Sequence, residues 1–474
     1  MKNTQTAVAL SLLVALSSSL FAKPVSLEDA QNVALNWMTA RTGKHFTVKK
    51  MPLASSATGD NNATAHAYRI IELEPKGWVI VSADDIANPI IGYGQSPIHT
   101  HNLPPEFAHW MAGIDKQIQT AVLAASDPES AKFGTASPLQ SQWVRLKKKP
   151  VNTALSSSTG LSAFPYTVKP LLWLGGSEAT GIQWSQGEYY NAKCPAEPKS
   201  MEAGRALTGC VATAMGQVMR YYKKPVVGTG SFGYSTSDPT KYQHDYGYLF
   251  ADFGSTNYDW NNMPTKLTAA STEVQIAAVS TLLYHAGVSV GMDYGYGLGA
   301  DGSQDGGSLS SYHDPQGGPA ADTALKNYFG FTVKAEHGSD YSYAAWKTKI
   351  KTSLNNGNPV LYGGLNNTGT SGHAFVLDGY AVGNGDDYFH FNWGWGGEAN
   401  GQFTLLNLTP NGNDFSYNQQ AIFFSGTNGS NNGGGGTGGG CTYNPENKGF
   451  DLMLILMLLM AGAYPLSRKY LRQA

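Results

Sequence analysis

Thr208-Gly209-Cys210-Val211-Ala212-Thr213-Ala214-Met215 is the stretch whose reading decides the fold. Beyond it, apolar residues recur at Val211, Ala214, Met215, Val218, Met219 and Tyr222, the i, i+3, i+4, i+7, i+8 spacing of one helix face. The pattern ends at Lys223-Lys224-Pro225, a basic last turn before a residue that cannot continue a helix. Thr208 is the expected N-cap, and Gly209 lets backbone or substrate approach closely. Cys210 is therefore expected in the first turn of a buried helix. There, unpaired N–H groups and the positive end of the helix dipole favour a thiolate. A lone helical cysteine is also a common core residue, so the rest of the chain has to decide between packing and chemistry.

A nucleophilic cysteine needs a base, a group to orient that base, and donors for the developing oxyanion. His373 lies in Gly369-Thr370-Ser371-Gly372-His373-Ala374-Phe375-Val376-Leu377-Asp378-Gly379, at the start of an apolar strand after a loop of small residues. That setting aims its ring at a cleft, as a general base requires. Asn392-Trp393-Gly394-Trp395-Gly396-Gly397 closes the following strand. Its amide is suited to hold an imidazole tautomer and its indoles to exclude water. Gln186, on a turn upstream, pairs with the Cys210 N–H as an oxyanion hole. Gln183 competes for that role, and spacing does not choose between them. Cysteine, then histidine, then asparagine is the chain order of papain-like cysteine proteases.

The remaining sequence is consistent with an exported protein of several parts. The 474 residues carry a net charge of −2 with 14% charged residues, which leaves no basic field for nucleic acid. Three cysteines, Cys194, Cys210 and Cys441, exclude a disulfide framework and a cysteine-only zinc site. Residues 1–22 read as a signal peptide: Lys2, an apolar core from Ala7 to Leu16 too short to span a bilayer, and a small-residue exit at Ala22. Residues 23–145 form a first unit. In it a helix capped by Ser26 buries Leu27, Ala30, Val33, Ala34, Trp37 and Met38; strands cover Ala67–Leu73 and Trp78–Ser82; and a helix covers Pro105–Ala125. Asp84-Asp85 reads as a turn rather than an acid/base or metal pair. Residues 146–162 are a basic, Ser-rich linker open to cleavage.

The larger unit, 163–426, has helices early and strands late, an α+β pattern with a cleft between layers. Helices are expected at Val274–Ala286, Ala320–Phe329 and Tyr343–Leu354, and strands at Pro359–Tyr362, His373–Tyr380, Tyr388–Trp393 and Gln402–Leu408. The Gly291–Gly318 loop is suited to the substrate side. Its Asp301-Gly302-Ser303-Gln304-Asp305-Gly306 begins like a calcium loop but has Tyr312 where the closing glutamate belongs. A Gly-rich linker, 427–440, leads to a tail, 441–474, with Cys441, the apolar run Leu452–Tyr464 and the cations Arg468, Lys469 and Arg472. The tail reads as a sorting or anchoring signal.

The Thr208–Met215, Gly372–Gly379 and Asn392–Gly397 motifs resemble those of the streptopain family, the C10 cysteine peptidases. Trp184-Ser185-Gln186, Tyr190-Asn191 and Tyr258-Asp259-Trp260-Asn261-Asn262 match in order and spacing. Gly77-Trp78-Val79-Ile80-Val81-Ser82-Ala83-Asp84-Asp85 with Pro89-Ile90-Ile91-Gly92-Tyr93 is similar to that family's inhibitory propeptide. The resemblance implies a papain-like fold preceded by an α+β inhibitory pro-domain, a Cys210 nucleophile and a His373 base. It also implies Gln186 in the oxyanion hole, Trp393 and Asn392 stabilising the histidine, and Gly372 along the substrate backbone. Protein or peptide substrates with a hydrophobic residue two positions before the scissile bond follow, and no metal or organic cofactor is implied. The sequence departs from streptopain in a longer loop before His373, in Gly363 where streptopain has glutamine, and in extra residues within Gly291–Gly318. The tail resembles the JDVT-CTERM type of exported bacterial proteins, which implies an envelope processing protease acting near Cys441. A catalytically silent surface binding or adhesion module, or an amidase or transferase, would use the same fold.

Overall fold

The computed structural model describes residues 23–49, 67–98, 105–125, 138–148, 167–169, 172–176, 180–297, 303, 314, 318–365, 372–383, 386–405 and 419–426. The signal peptide, residues 149–166 of the linker region, most of the 298–317 loop, the loop at 366–371 and everything from 427 onward lie outside them.

In the N-terminal part, helix α1 (Leu27–Thr42) starts where the Ser26 hydroxyl accepts the Asp29 N–H at 3.0 Å and stops at Gly43, φ 66°. Its buried stripe begins at Ala30 and includes Val33, Ala34, Trp37 and Met38, while Leu27 faces solvent. Strands β1 (Thr47–Val48), β2 (Tyr68–Glu74), β3 (Gly77–Ser82) and β4 (Ile90–Gly94) follow, then α2 (Pro105–Ala125) and α3 (Pro138–Leu146). Between β3 and β4 the Asp84 carboxylate accepts the Ile86 N–H at 2.9 Å, the side-chain-to-backbone turn expected there.

The C-terminal part opens with β5 (Thr167–Lys169) and then α4 (Cys210–Tyr222), whose residues Val211–Met219 are all buried. A helix buried on every side belongs at the centre of a domain. Next come the hairpin β6 (Ser231–Ser235) and β7 (Tyr248–Asp252), then α5 (Glu273–Ser289), entered through a reciprocal Thr272–Gln275 capping box. The order continues through α6 (Ala321–Asn327), β8 (Thr332–His337), α7 (Tyr343–Asn355), β9 (Val360–Leu365), β10 (Gly372–Gly383), β11 (Asp386–Asn392), β12 (Gly401–Phe403) and β13 (Gln420–Ser425).

The two parts are joined more closely than the sequence suggests. One sheet runs β1-β2-β3-β4-β12-β11-β10-β9-β13-β8, with β5 on β10, and the crossing point is the antiparallel pair β4–β12 (Gly92 opposite Phe403, Tyr93 opposite Gln402). Both faces of this sheet are covered. On one, Trp78 and Ile80 of β3 and Phe107, Met111, Ile114 and Ile118 of α2 share a core with Phe375, Phe391 and Trp393. On the other, Val79 and Val81 of β3 pack with α1, and Tyr388 of β11 enters that N-terminal core. The run Trp78-Val79-Ile80-Val81 is continuously apolar because β3 is buried on both sides. Further along the second face, α4 and α5 pack with Ala374 and Val376 of β10.

Candidate active site

Cys210 is the first residue of α4 and is half-buried at the edge of the helical core. The N-cap is Gly209, at φ 87°, a conformation an L side chain rarely adopts. Thr208, the expected cap, instead shares a 2.8 Å hydroxyl–hydroxyl bond with Thr213. The first turn therefore offers its N–H groups to whatever lies in front of Cys210 rather than to a side chain. Neither Cys210 nor Cys194 is in a disulfide, and burial pushes the Cys194 thiol far up, which makes it inert.

Backbone bonds bring the other candidate segments to this helix mouth. The Thr208 N–H donates to the Gln186 carbonyl at 3.0 Å, which fixes Gln186 beside the start of α4. Gln183 lies elsewhere: its N–H donates to Thr265 O at 2.8 Å, and its side chain fills the space where a Cβ on Gly397 would stand. The bond to Thr208 at the start of α4 is one that Gln186 makes through its main chain, while Gln183 packs on the aromatic turn. The Gly396 N–H donates to Trp184 O at 3.0 Å, tying the Trp-Gly-Trp-Gly-Gly turn to the Gln186 segment. Gly394 of that turn, at φ 77°, approaches α4 so closely that a Cβ would sit 3.1 Å from Thr213 Cγ2.

His373, 8% exposed, is the second residue of β10. Its Nε2 lies 2.8 Å from the Trp393 carbonyl. A carbonyl only accepts, so Nε2 carries the proton and Nδ1 is the nitrogen left to exchange one. The ring stacks on Trp395 at 4.8 Å and 23°, and Trp395 in turn stacks on Trp393 at 5.1 Å and 4°. Trp393 is immobilised by its N–H to Asn400 Oδ1 at 3.0 Å and its indole N–H to Ala399 O at 3.1 Å.

The orienting group therefore differs from the amide expected at Asn392. That side chain donates to Ile182 O at 2.6 Å and accepts the Gly394 N–H at 3.2 Å. It shapes the turn, and the main-chain carbonyl one residue later holds the imidazole. Gly372 pairs with Leu365 of β9 at the entrance of β10, next to His373 and half-exposed. Asn400 and the close stacking partner Trp395 were not singled out by the sequence reading. Asn400 carries no periodic or motif signal, and the family resemblance points to Trp393 rather than Trp395.

The N-terminal part reaches this site, where the Pro97 carbonyl accepts the Ala399 N–H at 2.7 Å. Phe107 of α2 is fully buried and points its ring edge-on at Trp393 and Trp395, with centroids 5.6 and 6.0 Å away.

A buried central helix with cysteine at its mouth, laid against an antiparallel sheet that presents a clamped histidine, defines a papain-like cysteine peptidase. The Peptidase C10 family model matches residues 184–403, and a model described as Spi protease inhibitor matches 22–118. Streptopain of Streptococcus pyogenes is 30% identical over 82% of this chain and 85% of its own length. The thiol protease/hemagglutinin PrtT of Porphyromonas gingivalis is 30% identical over 78% of this chain, which matches 38% of that longer protein. A Cys-to-Ala fragment of prointerpain A from Prevotella intermedia superposes with a TM-score of 0.56 at 28% identity, covering 80% of this chain and 98% of that one. The chain belongs to the peptidase C10 family. It is a streptopain-like cysteine peptidase whose N-terminal region is an inhibitor-like pro-domain.

Proposed function

We propose that the chain is the exported zymogen of a cysteine endopeptidase in which Cys210 and His373 carry the chemistry. The observation that carries this reading is the bond from His373 Nε2 to the Trp393 carbonyl, which assigns the proton to Nε2 and leaves Nδ1 to act as the base. In this mechanism Nδ1 takes the Cys210 proton and the thiolate attacks the scissile carbonyl. The Gln186 amide and the Cys210 N–H stabilise the oxyanion. Nδ1–H then protonates the leaving amine, and a thioester remains. Water deprotonated by His373 attacks the thioester and releases the acyl product. Trp393 and Trp395 keep the ring aligned and dry, Asn392 supports their turn, and Gly372 leaves room for the substrate backbone.

Residues 23–145 act as intramolecular inhibitor, 146–162 as the segment cut on maturation, and 163–426 as the peptidase. The signal peptide routes the protein out of the cytoplasm. The 441–474 tail is handed to an envelope processing protease, through which the enzyme is retained at or released from the cell surface. The test is epoxide labelling and peptide turnover of full-length wild type, Cys210→Ala and His373→Ala after maturation in trans. Selective labelling at Cys210, with turnover lost in both variants, is expected. Turnover by Cys210→Ala would end the proposal.

A further inference from the structure

We propose that Asp378 and His390 are positioning residues for His373: their buried bond locks the bulge that sets which part of the aromatic turn faces the imidazole. This rests on the reading of His373 as the base.

Strands β10 and β11 pair in two registers. Val376 is opposite Asn392 and Leu377 opposite Phe391; then, after one extra residue, Gly379 is opposite His390, and pairing runs on to Gly383 opposite Asp386. The extra residue is Asp378. A bulge of this kind inverts the alternation of faces, and the core shows it. Phe375 and Leu377, at odd positions, lie in the same cluster as Tyr380, at an even one.

Continued past Asn392, the upstream register sets His373 level with Trp395, the indole on which its ring stacks at 4.8 Å. In the downstream register His373 would be level with Gly396 instead and would lose that indole. A slip of one residue therefore removes the imidazole from its aromatic slot.

Three contacts hold the extra residue in place. The His390 Nδ1–H donates to the Asp378 carboxylate, with side chains 4% and 1% exposed. The Leu172 N–H donates to the Asp378 carbonyl at 2.6 Å. The Trp173 ring meets the His390 ring edge-on at 4.5 Å. Just beyond, β5 pairs with the outer part of β10, Lys169 opposite Tyr380. Residues 167–169, Leu172 and Trp173 thus close the bulge from outside, so the lock persists only if maturation cuts upstream of Thr167. A hydrogen-bonded pair buried this deeply holds its geometry because either partner left alone is costly.

The test uses full-length Asp378→Ala, Asp378→Asn, His390→Ala and His390→Gln, with His373→Ala alongside. Each is matured by immobilised wild-type enzyme that is then removed. Kinetic constants on a fluorogenic peptide and thermal melts are measured for each. A misplaced catalytic group costs on the order of 10²-fold, so that loss in kcat is expected for both alanine variants. KM should stay within about twofold, because substrate binding is untouched. Asp378→Asn keeps an acceptor for His390 and should recover kcat to within about threefold of wild type.

Wild-type kcat in a cooperatively melting alanine variant overturns the proposal. So does an Asp378→Asn no better than Asp378→Ala, which would mark the pair as structural only. If Asp378→Ala does not melt cooperatively, His390→Gln decides: wild-type kcat there refutes the lock, and a selective kcat loss supports it. An active His373→Ala would instead sink the base assignment itself.

Discussion

Replacing Phe107 with alanine should open the zymogen without cutting it. The ring is fully buried, edge-on to Trp393, Trp395 and Phe403 at 5.6, 6.0 and 6.3 Å. Removing a buried phenylalanine ring costs about 3–5 kcal/mol. Taking the lower figure, because part of the loss falls on neighbours within α2, about 3 kcal/mol shifts a tethered closed-to-open equilibrium by on the order of 10²-fold. Epoxide labelling of Cys210 in the uncut precursor reads the open fraction directly, and each labelling event ends that molecule's ability to process others. The labelling rate of Phe107→Ala should rise by that factor, up to the ceiling set by the mature enzyme. Ile350→Ala is the control. Ile350 lies on α7 in the same core, so the substitution destabilises the peptidase side by a comparable amount without touching the pro-domain contact. If Phe107→Ala labels within about twofold of wild type, or if Ile350→Ala labels just as fast, Phe107 is not what keeps the site closed.

Two further outcomes follow from single side chains. Burial holds His285 down at about 4 from an ordinary 6.5, against a smaller opposing pull from Asp252, and its Nδ1 lies 3.0 Å from the Tyr258 hydroxyl. Between those pH values the unfolded chain binds a proton that the folded protein refuses. Stability is therefore full above pH 6.5 and falls as pH drops toward 4, by up to about 3 kcal/mol. Thermal melts across that range should show a shallower acid limb for His285→Gln, and parallel limbs would exclude His285 as the source. Gly394→Ala places a Cβ at φ 77° and 3.1 Å from Thr213 Cγ2, whereas Gly426→Ala meets nothing within 4 Å at φ 71°. Both should lose about 1–2 kcal/mol for the left-handed backbone. Only Gly394→Ala should also lose kcat, because its turn carries the Trp393 carbonyl. Equal kinetics in the two variants would show that the contact with α4 does not matter.

The elements readable from sequence are those with a strong local period. α2 matches Pro105–Ala125 residue for residue, and the stretch after Cys210 gives the whole of α4, because apolar residues at helical spacing leave a one-dimensional trace. His373 at the head of an apolar strand was legible for the same reason. What escaped was long-range or one residue wide. The β4–β12 pair joins residues 92 and 403, and no local pattern encodes which edge a strand will meet. The hairpin of β6 and β7 is hidden by its Gly, Ser and Tyr content, since its outward side is exposed. Asp378 looked like one more strand position because a bulge inserts a single residue into an otherwise unbroken apolar run. At the site itself, the sequence names side chains while the structure uses main chain. The imidazole is held by a carbonyl, which every residue possesses, so the amide of Asn392 was the visible candidate and its neighbour's backbone the actual partner.

The position of that carbonyl also puts the proposed inhibition and the proposed catalysis on the same few residues. Trp393 and Trp395 form a parallel stack that meets the imidazole of His373 and the ring edge of Phe107 from the pro-domain, with Phe375, Phe391 and Phe403 packed on Trp393. Asn400 and Trp184 bind the main chain of this turn, Ala399 accepts the Trp393 indole N–H, and the Ala399 N–H in turn donates to the Pro97 carbonyl of the pro-domain at 2.7 Å, so the stack is braced from both sides. A pro-domain docked on a flexible loop would distort the base when bound and leave it disordered when released. Packed instead against this stack through Phe107 and Pro97, and hydrogen-bonded through β4 to the edge of β12, the pro-domain shares both a core and a sheet with the elements that carry His373. Cutting the linker would remove neither the shared sheet nor the shared core. The two fragments would stay associated until the N-terminal one is itself degraded, and the rate of that loss would then limit the appearance of activity.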